Sequence, residues 1–147
     1  SMAKRFIAIA GNIGSGKTTL TNLLSERYSW VPYYEVVNDN PYLSDFYEDM
    51  SRWSLQLQMF FLSKRFEAHQ NITSREASAI QDRSVYEDAH IFARTLYEAG
   101  HMEERDFRSY RQLYDQLTQY LTPPDFVIYV RRVALFFIIN ARLYIIV

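Results

Sequence analysis

The sequence predicts an α/β fold: a parallel β-sheet flanked by α-helices on both faces. Three observations carry that prediction. A run from Arg5 to Ala10, apolar from Phe6 onward, leads straight into a glycine-rich turn and then a helix. Other short β-branched and aromatic runs recur downstream, separated by amphipathic helical stretches, which is the pattern of strands joined by crossover helices. No repeat, low-complexity tract or Pro/Gly-rich linker divides the 147 residues, so one domain over residues 1–147 is expected.

The elements follow in order. Arg5 to Ala10 reads as a buried parallel strand, because from Phe6 onward it is apolar on both of its faces. Lys17 to Tyr28 reads as a helix with Leu20, Leu23 and Leu24 on one side, and Trp30 to Val37 as a second strand. Beyond Pro41 a helical pattern runs from about Leu43 to Thr73, with a break near Met50-Ser51. Within it Trp53, Leu57, Phe60 and Phe61 repeat at the spacing of a buried helical stripe. Ala77 to Gln81 is a short strand, and Val85 to Ala99 a helix that stops at Gly100. From Glu103 another helix carries Phe107, Tyr110, Leu113, Tyr114, Leu117, Tyr120 and Leu121, a stripe that suits either the core or an interface. Pro123-Pro124 ends it, and Phe126 to Val130 forms a fourth strand.

Bulk composition narrows the function. The chain is 48% hydrophobic and 16% aromatic, enough for a real core. Its net charge is −1, whereas a nucleic-acid-binding face carries a clear excess of Lys and Arg. Cysteine is absent, which excludes disulfides and thiolate metal sites and suits a cytoplasmic location. No apolar stretch reaches the roughly 18 residues that span a bilayer, so no membrane association is expected. Ser1-Met2 lacks a signal pattern and reads as a tag remnant ahead of the native Met.

Chemistry concentrates at Gly11-Asn12-Ile13-Gly14-Ser15-Gly16-Lys17-Thr18-Thr19, which fits the phosphate-binding pattern G-x-x-x-x-G-K-[ST] at every fixed position. Glycines let the backbone curl so that successive N–H groups face phosphate oxygens, and the following helix presents its positive end. Lys17 is placed to reach the outer phosphates, and the Thr18 hydroxyl to ligate Mg²⁺. The strand before the motif and the helix after it set it apart from a chance match.

A phosphate grip alone does not name a reaction. A GTPase would carry an N-K-x-D segment, and none is present; a motor ATPase would end a strand in paired acids. Here the third strand ends in Asp82-Arg83-Ser84. Asp82 could complete a Mg²⁺ shell, and Arg83 is a planar cation suited to a transferring phosphate. Glu35, at the end of the second strand, could take the proton of an attacking hydroxyl; a solvated strand-end acid is the plain alternative. Gln58 and Arg65 lie two helical turns apart and can share one cleft, although solvated helix positions would look the same.

Taken together, IAIAGNIGSGKTTL, EVVNDNPYLSDFYEDMSRWSLQLQMFFLSKRF, IQDRSVYEDAHIFA and PPDFVIYV resemble the deoxynucleoside kinase family, especially its bacterial deoxyadenosine/deoxycytidine/deoxyguanosine kinase branch. The segments run in the family's order from Arg5 to about Val130. The resemblance implies a P-loop kinase fold, ATP and Mg²⁺ as donor and metal, a deoxyribonucleoside acceptor and a homodimer. It implies that Glu35 is the general base for the 5′-hydroxyl, and that Arg83 holds that glutamate and steadies the phosphate. Asp82 falls where the family often has Glu. Tyr47 is similar to the tyrosine on the sugar 3′-hydroxyl, Gln58 and Asp88 to the pair that reads the base edge, and Arg65 to an arginine coupled to that aspartate. Trp53 and Phe92 look like aromatic walls around the base. The wording leans towards deoxyadenosine, with deoxycytidine or deoxyguanosine next. Two other readings stay open: another P-loop small-molecule kinase, such as a nucleoside monophosphate kinase, and a non-catalytic nucleotide-binding module.

After Val130 the resemblance ends. Residues 131–147 contain no R-x-x-R-G-R lid and no lid glutamate. The expectation is that stretches of the natural chain are omitted here, and that Ala141 to Val147 is a buried strand equivalent to the family's fifth.

Overall fold

The computed structural model describes residues 3–11, 16–35, 39–130, 135–139 and 142–146, the last two stretches through their backbone. The chain divides into two compact units. The first comprises Ser1–Tyr34, Glu76–Arg83 and Pro124–Val147; the second comprises Glu35–Arg75 and Ser84–Pro123.

The first unit is built on a parallel sheet of order β2-β3-β1-β4, formed by Phe6–Gly11 (β1), Val31–Tyr33 (β2), Ala79–Asp82 (β3) and Phe126–Val130 (β4). The expected α/β class and parallel sheet are therefore observed. β1 is central and buried at all six positions, which is why its sequence is continuously apolar rather than alternating. Ile7 and Ile9 point to one face, where they pack with Leu20 and Leu24 of helix α1 (Lys17–Tyr28) and with Ile80 and Val130. Leu23, expected on that apolar side, is 53% exposed instead: Leu20 and Leu24 are four apart and share a face, which Leu23 leaves by about 100°.

β2 is shorter than the predicted Trp30–Val37 strand, and residues 36–38 lie outside those described. Pro32 explains its place at the edge. Val31 donates its N–H to Ser78 O of the neighbouring segment at 2.9 Å, so the alternate position, Pro32, would direct its N–H to the outer side, where a missing donor costs nothing.

The predicted buried strand over residues 141–147 does form a strand, but not a fifth parallel one. Arg142–Ile146 (β6) pairs antiparallel with Leu135–Ile139 (β5), as a separate two-stranded sheet. Only two residues separate β5 from β6 in sequence. A connection that short can join antiparallel neighbours, whereas a parallel partner needs a crossover of about a dozen residues or more.

The second unit is helical. α2 (Leu43–Glu48) and α3 (Met50–Ser74) break at Asp49, close to the predicted position, where the Asp49 side chain accepts the Arg52 N–H at 3.1 Å and caps α3. The predicted helix after Val85 is one run of three parts: α4 (Val85–Glu87), a π-helical segment (Asp88–Ala93) and α5 (Arg94–Glu98), ending before Gly100 at φ 81°. α6 (Glu104–Thr118) follows. The core joins Leu62 of α3, Val85, Ala89 and Ala93 of the tripartite run, and Tyr110 and Tyr114 of α6. The α6 stripe is thus largely core, although Leu113 and Tyr120 are exposed. Among the described residues no helix is long and apolar enough to cross a membrane.

The buried face of α3 differs from the expected one. Trp53, Phe60 and Phe61 are only half-buried; Trp53 and Phe60 are grouped around Tyr42. The fully buried positions are Ser54, Leu57, Gln58, Leu62, Arg65, His69 and Ile72. A helical stripe with four polar members is invisible to a count of apolar residues. His69 is fully buried and its Nε2 meets Thr122 O at 2.6 Å, so the ring donates there. Burial lowers its pKa from 6.5, and the Thr122 bond only partly opposes this. Its folded pKa lies below the unfolded one, so below about pH 6.5 the unfolded chain binds more protons, and stability falls with pH. The melting temperature should therefore drop between pH 7 and pH 5, and His69→Gln, which keeps a donor for Thr122, should flatten that slope.

Candidate active site

Two clusters of buried polar side chains stand out, one in each unit. The first lies at the carboxyl edge of the sheet, where ligands bind in open α/β folds. Ile9 of β1 and Asp82 of β3 are in register, so both strands end at the same level. From Gly11 the chain passes through Asn12, Ile13, Gly14 and Ser15, which lie outside the described residues, and re-emerges at Gly16. Gly16 has φ 93°, the left-handed region. A Cβ there would meet nothing within 4 Å, so backbone strain, not space, is what favours glycine at this position.

Lys17 and Thr18 open α1 beside Asp82. Lys17 Nζ lies 3.4 Å from Asp82 Oδ1, and the Thr18 hydroxyl donates to Oδ2 at 3.0 Å; Asp82 itself is 3% exposed. The Thr18 hydroxyl and the Asp82 carboxylate are hard oxygen donors of the kind Mg²⁺ takes alongside substrate phosphates. Thr19, next in the helix, is exposed. Arg83 is buried and has φ 71°, a left-handed backbone for a bulky residue. Its N–H donates to Ile9 O at 2.8 Å and its Nη2 to Gly11 O at 3.4 Å. Such a conformation costs about 1–3 kcal/mol and tends to occur at functional sites. Here it turns the guanidinium back to the end of β1.

The second cluster is held on α3 and the π-helical segment. Gln58 and Arg65 are both buried, which rules out the solvated alternative for them. The Arg65 guanidinium lies between two carboxylates: Nη2 is 3.4 Å from Glu35 Oε1 and Nε 3.5 Å from Asp88 Oδ2. Its plane also lies over the Phe61 ring, 5.3 Å from the centroid. Gln58 Oε1 and Arg65 Nε make no hydrogen bond among the described residues. Buried polar atoms normally have a hydrogen-bond partner, so Gln58 Oε1 has room for one outside the protein's own described groups.

The structure thus brings together Glu35, Gln58, Arg65 and Asp88. Tyr47 rests on Phe46 and is largely exposed. Trp53 sits against Tyr42 with the Arg52 guanidinium 4.2 Å above its ring. No described contact links Tyr47 or Trp53 to the four polar residues. Phe92 is half-buried within the π-helical segment. Two further buried residues, Glu87 and Tyr110, are not among the expected site residues. Glu87 shares the doubled acid Glu87-Asp88 after β3, and Tyr110 is one more aromatic in the α6 core stripe.

A family model for deoxynucleoside kinases matches residues 7–134. The chain belongs to the deoxynucleoside kinase family. Among curated relatives of this family member, a deoxyadenosine/deoxycytidine kinase of Bacillus subtilis is 41% identical over 84% of the chain. A deoxyadenosine kinase of Dictyostelium discoideum is 40% identical over 88%, and a deoxyguanosine kinase of Bacillus subtilis 36% identical over 86%. The chain spans 58%, 52% and 60% of the lengths of these three relatives, respectively. Among solved structures, a deoxyadenosine kinase from M. mycoides with bound dATP matches at 28% identity and TM-score 0.75, over 85% of this chain and 64% of the other. The same enzyme with dCMP and a flexible dCDP matches at 29% and 0.77, over 85% and 63%. The P-loop kinase fold follows from these neighbours together with the parallel sheet.

Removing Arg65 would strip a buried cation from beside two carboxylates. Arg65→Met is expected to destabilise the fold by about 3–5 kcal/mol, the usual cost of breaking a buried pair on one side, read as a lower midpoint in denaturant unfolding.

Proposed function

We propose that the protein transfers the γ-phosphate of Mg-ATP to the 5′-hydroxyl of a deoxyribonucleoside, with deoxyadenosine the first choice and deoxycytidine or deoxyguanosine next. The observation that carries this reading is the buried set Gln58, Arg65 and Asp88 with Glu35 beside it. A purine or cytosine edge presents adjacent donors and acceptors, and an amide, a guanidinium and a carboxylate can answer them. A nucleoside monophosphate acceptor would call for two or more cations placed for a second phosphate; Arg65, the cation in this cluster, is already engaged by two carboxylates. Family membership supports the same direction. A non-catalytic module would bind nucleotide without turnover on any nucleoside.

In this reading the Gly11–Thr19 loop and Lys17 hold the donor phosphates, and Thr18 and Asp82 hold the metal. Mg²⁺, when bound, neutralises charge on the phosphate oxygens. Glu35 takes the proton of the 5′-hydroxyl, whose oxygen bonds the γ-phosphorus as the bond to ADP breaks. Arg83 stabilises charge on the transferring group. Arg65 orients Glu35 and Asp88, and Gln58 and Asp88 read the base. Tyr47 is assigned to the 3′-hydroxyl, and Trp53 and Phe92 to the sides of the base, on family resemblance. A homodimer and a cytoplasmic location belong to the proposal on the same footing.

The test is a radiolabelled-ATP transfer assay over the four deoxyribonucleosides and their monophosphates. Label should appear on deoxyadenosine, deoxycytidine or deoxyguanosine, and Glu35→Gln should lower kcat by about 10²–10⁴-fold while nucleoside binding persists. Wild-type turnover by that variant would remove the base from Glu35. Label on the monophosphates alone would replace the reading with a monophosphate kinase.

A further inference from the structure

Gln58, Phe61 and Arg65 follow one another on α3 at spacings of three and four, which sets their side chains within about 60° of arc on one face of the helix. Along the axis Phe61 stands between the buried amide and the buried cation. The central carbon of the Arg65 guanidinium lies 5.3 Å from the centre of the Phe61 ring, inside the range of a cation–π contact. Trp53 and Phe60 gather round Tyr42 instead, and the Phe60 ring carries the Lys64 ammonium at 5.8 Å.

The two ion pairs of Arg65 leave its plane loosely held. Nη2 is 3.4 Å from Glu35 and Nε 3.5 Å from Asp88, whereas a tight charge-assisted hydrogen bond closes to about 2.7–2.9 Å. At the longer distances each carboxylate tolerates a tilt of the guanidinium. The N–H groups of a guanidinium lie in its plane, so the tilt decides where every donor points. An aromatic face resists that tilt, because the cation is drawn to the negative face of the ring, and more strongly where water is excluded. Arg65 is 3% exposed. An aliphatic side chain at position 61 would fill space without offering such a face.

We infer that Phe61 is a positioning residue for the acceptor site: its ring holds the Arg65 guanidinium in the plane that presents Nη2 to Glu35 and Nε to Asp88. This rests on the nucleoside-kinase reading. Through one cation the ring acts on two carboxylates with different tasks, the proton acceptor and the base reader. Losing the ring face is therefore felt in both kcat and the nucleoside KM. The donor phosphates are assigned to other residues, so the affinity for ATP is kept.

Phe61→pentafluorophenylalanine in the intact protein tests this, because it nearly keeps the shape of the ring while reversing the charge on its face. The expected kcat/KM for the preferred deoxynucleoside falls roughly tenfold, within the span that a desolvated cation–π contact is worth. Both kcat and the nucleoside KM contribute to that fall, and the KM for ATP is unchanged. Phe61→Leu should show the same pattern. Phe61→Tyr, which restores an electron-rich face, should return both parameters to wild-type values. Wild-type kinetics in the fluorinated variant overturn the inference while leaving the proposed function intact, since the ring would then act through its volume alone. A matching rise in the KM for ATP also overturns it, because that is a general loosening of the fold. If the wild type itself neither binds nor phosphorylates any deoxynucleoside, the proposed function and this inference fall together.

Discussion

Arg65 is the residue on which the helical unit depends. A guanidinium cannot lose its proton inside a protein, so burying it obliges the fold to bring acceptors to it. Glu35 and Asp88 come from segments 30 residues before and 23 after it in sequence, and both reach the same cation. The cation constrains where the segment after β2 and the start of the π-helical run can go. Apolar packing of Leu62, Ala89 and Tyr110 closes the surroundings. The arrangement exchanges freedom for a fixed pair of carboxylates, the condition that the roles proposed for Asp88 and Glu35 require.

The sheet unit obeys a different constraint. β1 is buried on both faces, so its side chains can only be apolar, and polar chemistry is displaced to the strand ends. Asp82, Arg83, Lys17 and Thr18 are all gathered at that boundary. The left-handed backbone of Arg83 shows how sharply the chain must turn to leave β3 there.

Much of this was legible in the sequence. The phosphate loop announced itself because glycine spacing, the preceding strand and the following helix all agree. The break before α3 was legible through a polar junction that Asp49 caps. The π-helical segment was not, since one extra residue within a helical run leaves the apolar spacing nearly unchanged. Nor was the partner of β6, because strand-forming residues specify a conformation and not a neighbour. At the site, Gln58, Arg65 and Asp88 came from family resemblance; periodicity alone allowed Gln58 and Arg65 to be solvated.

The π-helical segment Asp88–Ala93 also bears on where this helical run can lose a residue. A wider turn accommodates one more residue than an α-helical path between the same end points. Deleting a single residue there would let the run revert to uniform α-helix, with the frame of everything beyond it held in place. The same deletion in α3 would instead rotate half the helix by about 100° and turn Arg65 away from its carboxylates. The stretch that presents Asp88 is therefore where this unit can lose a residue and still keep its core aligned.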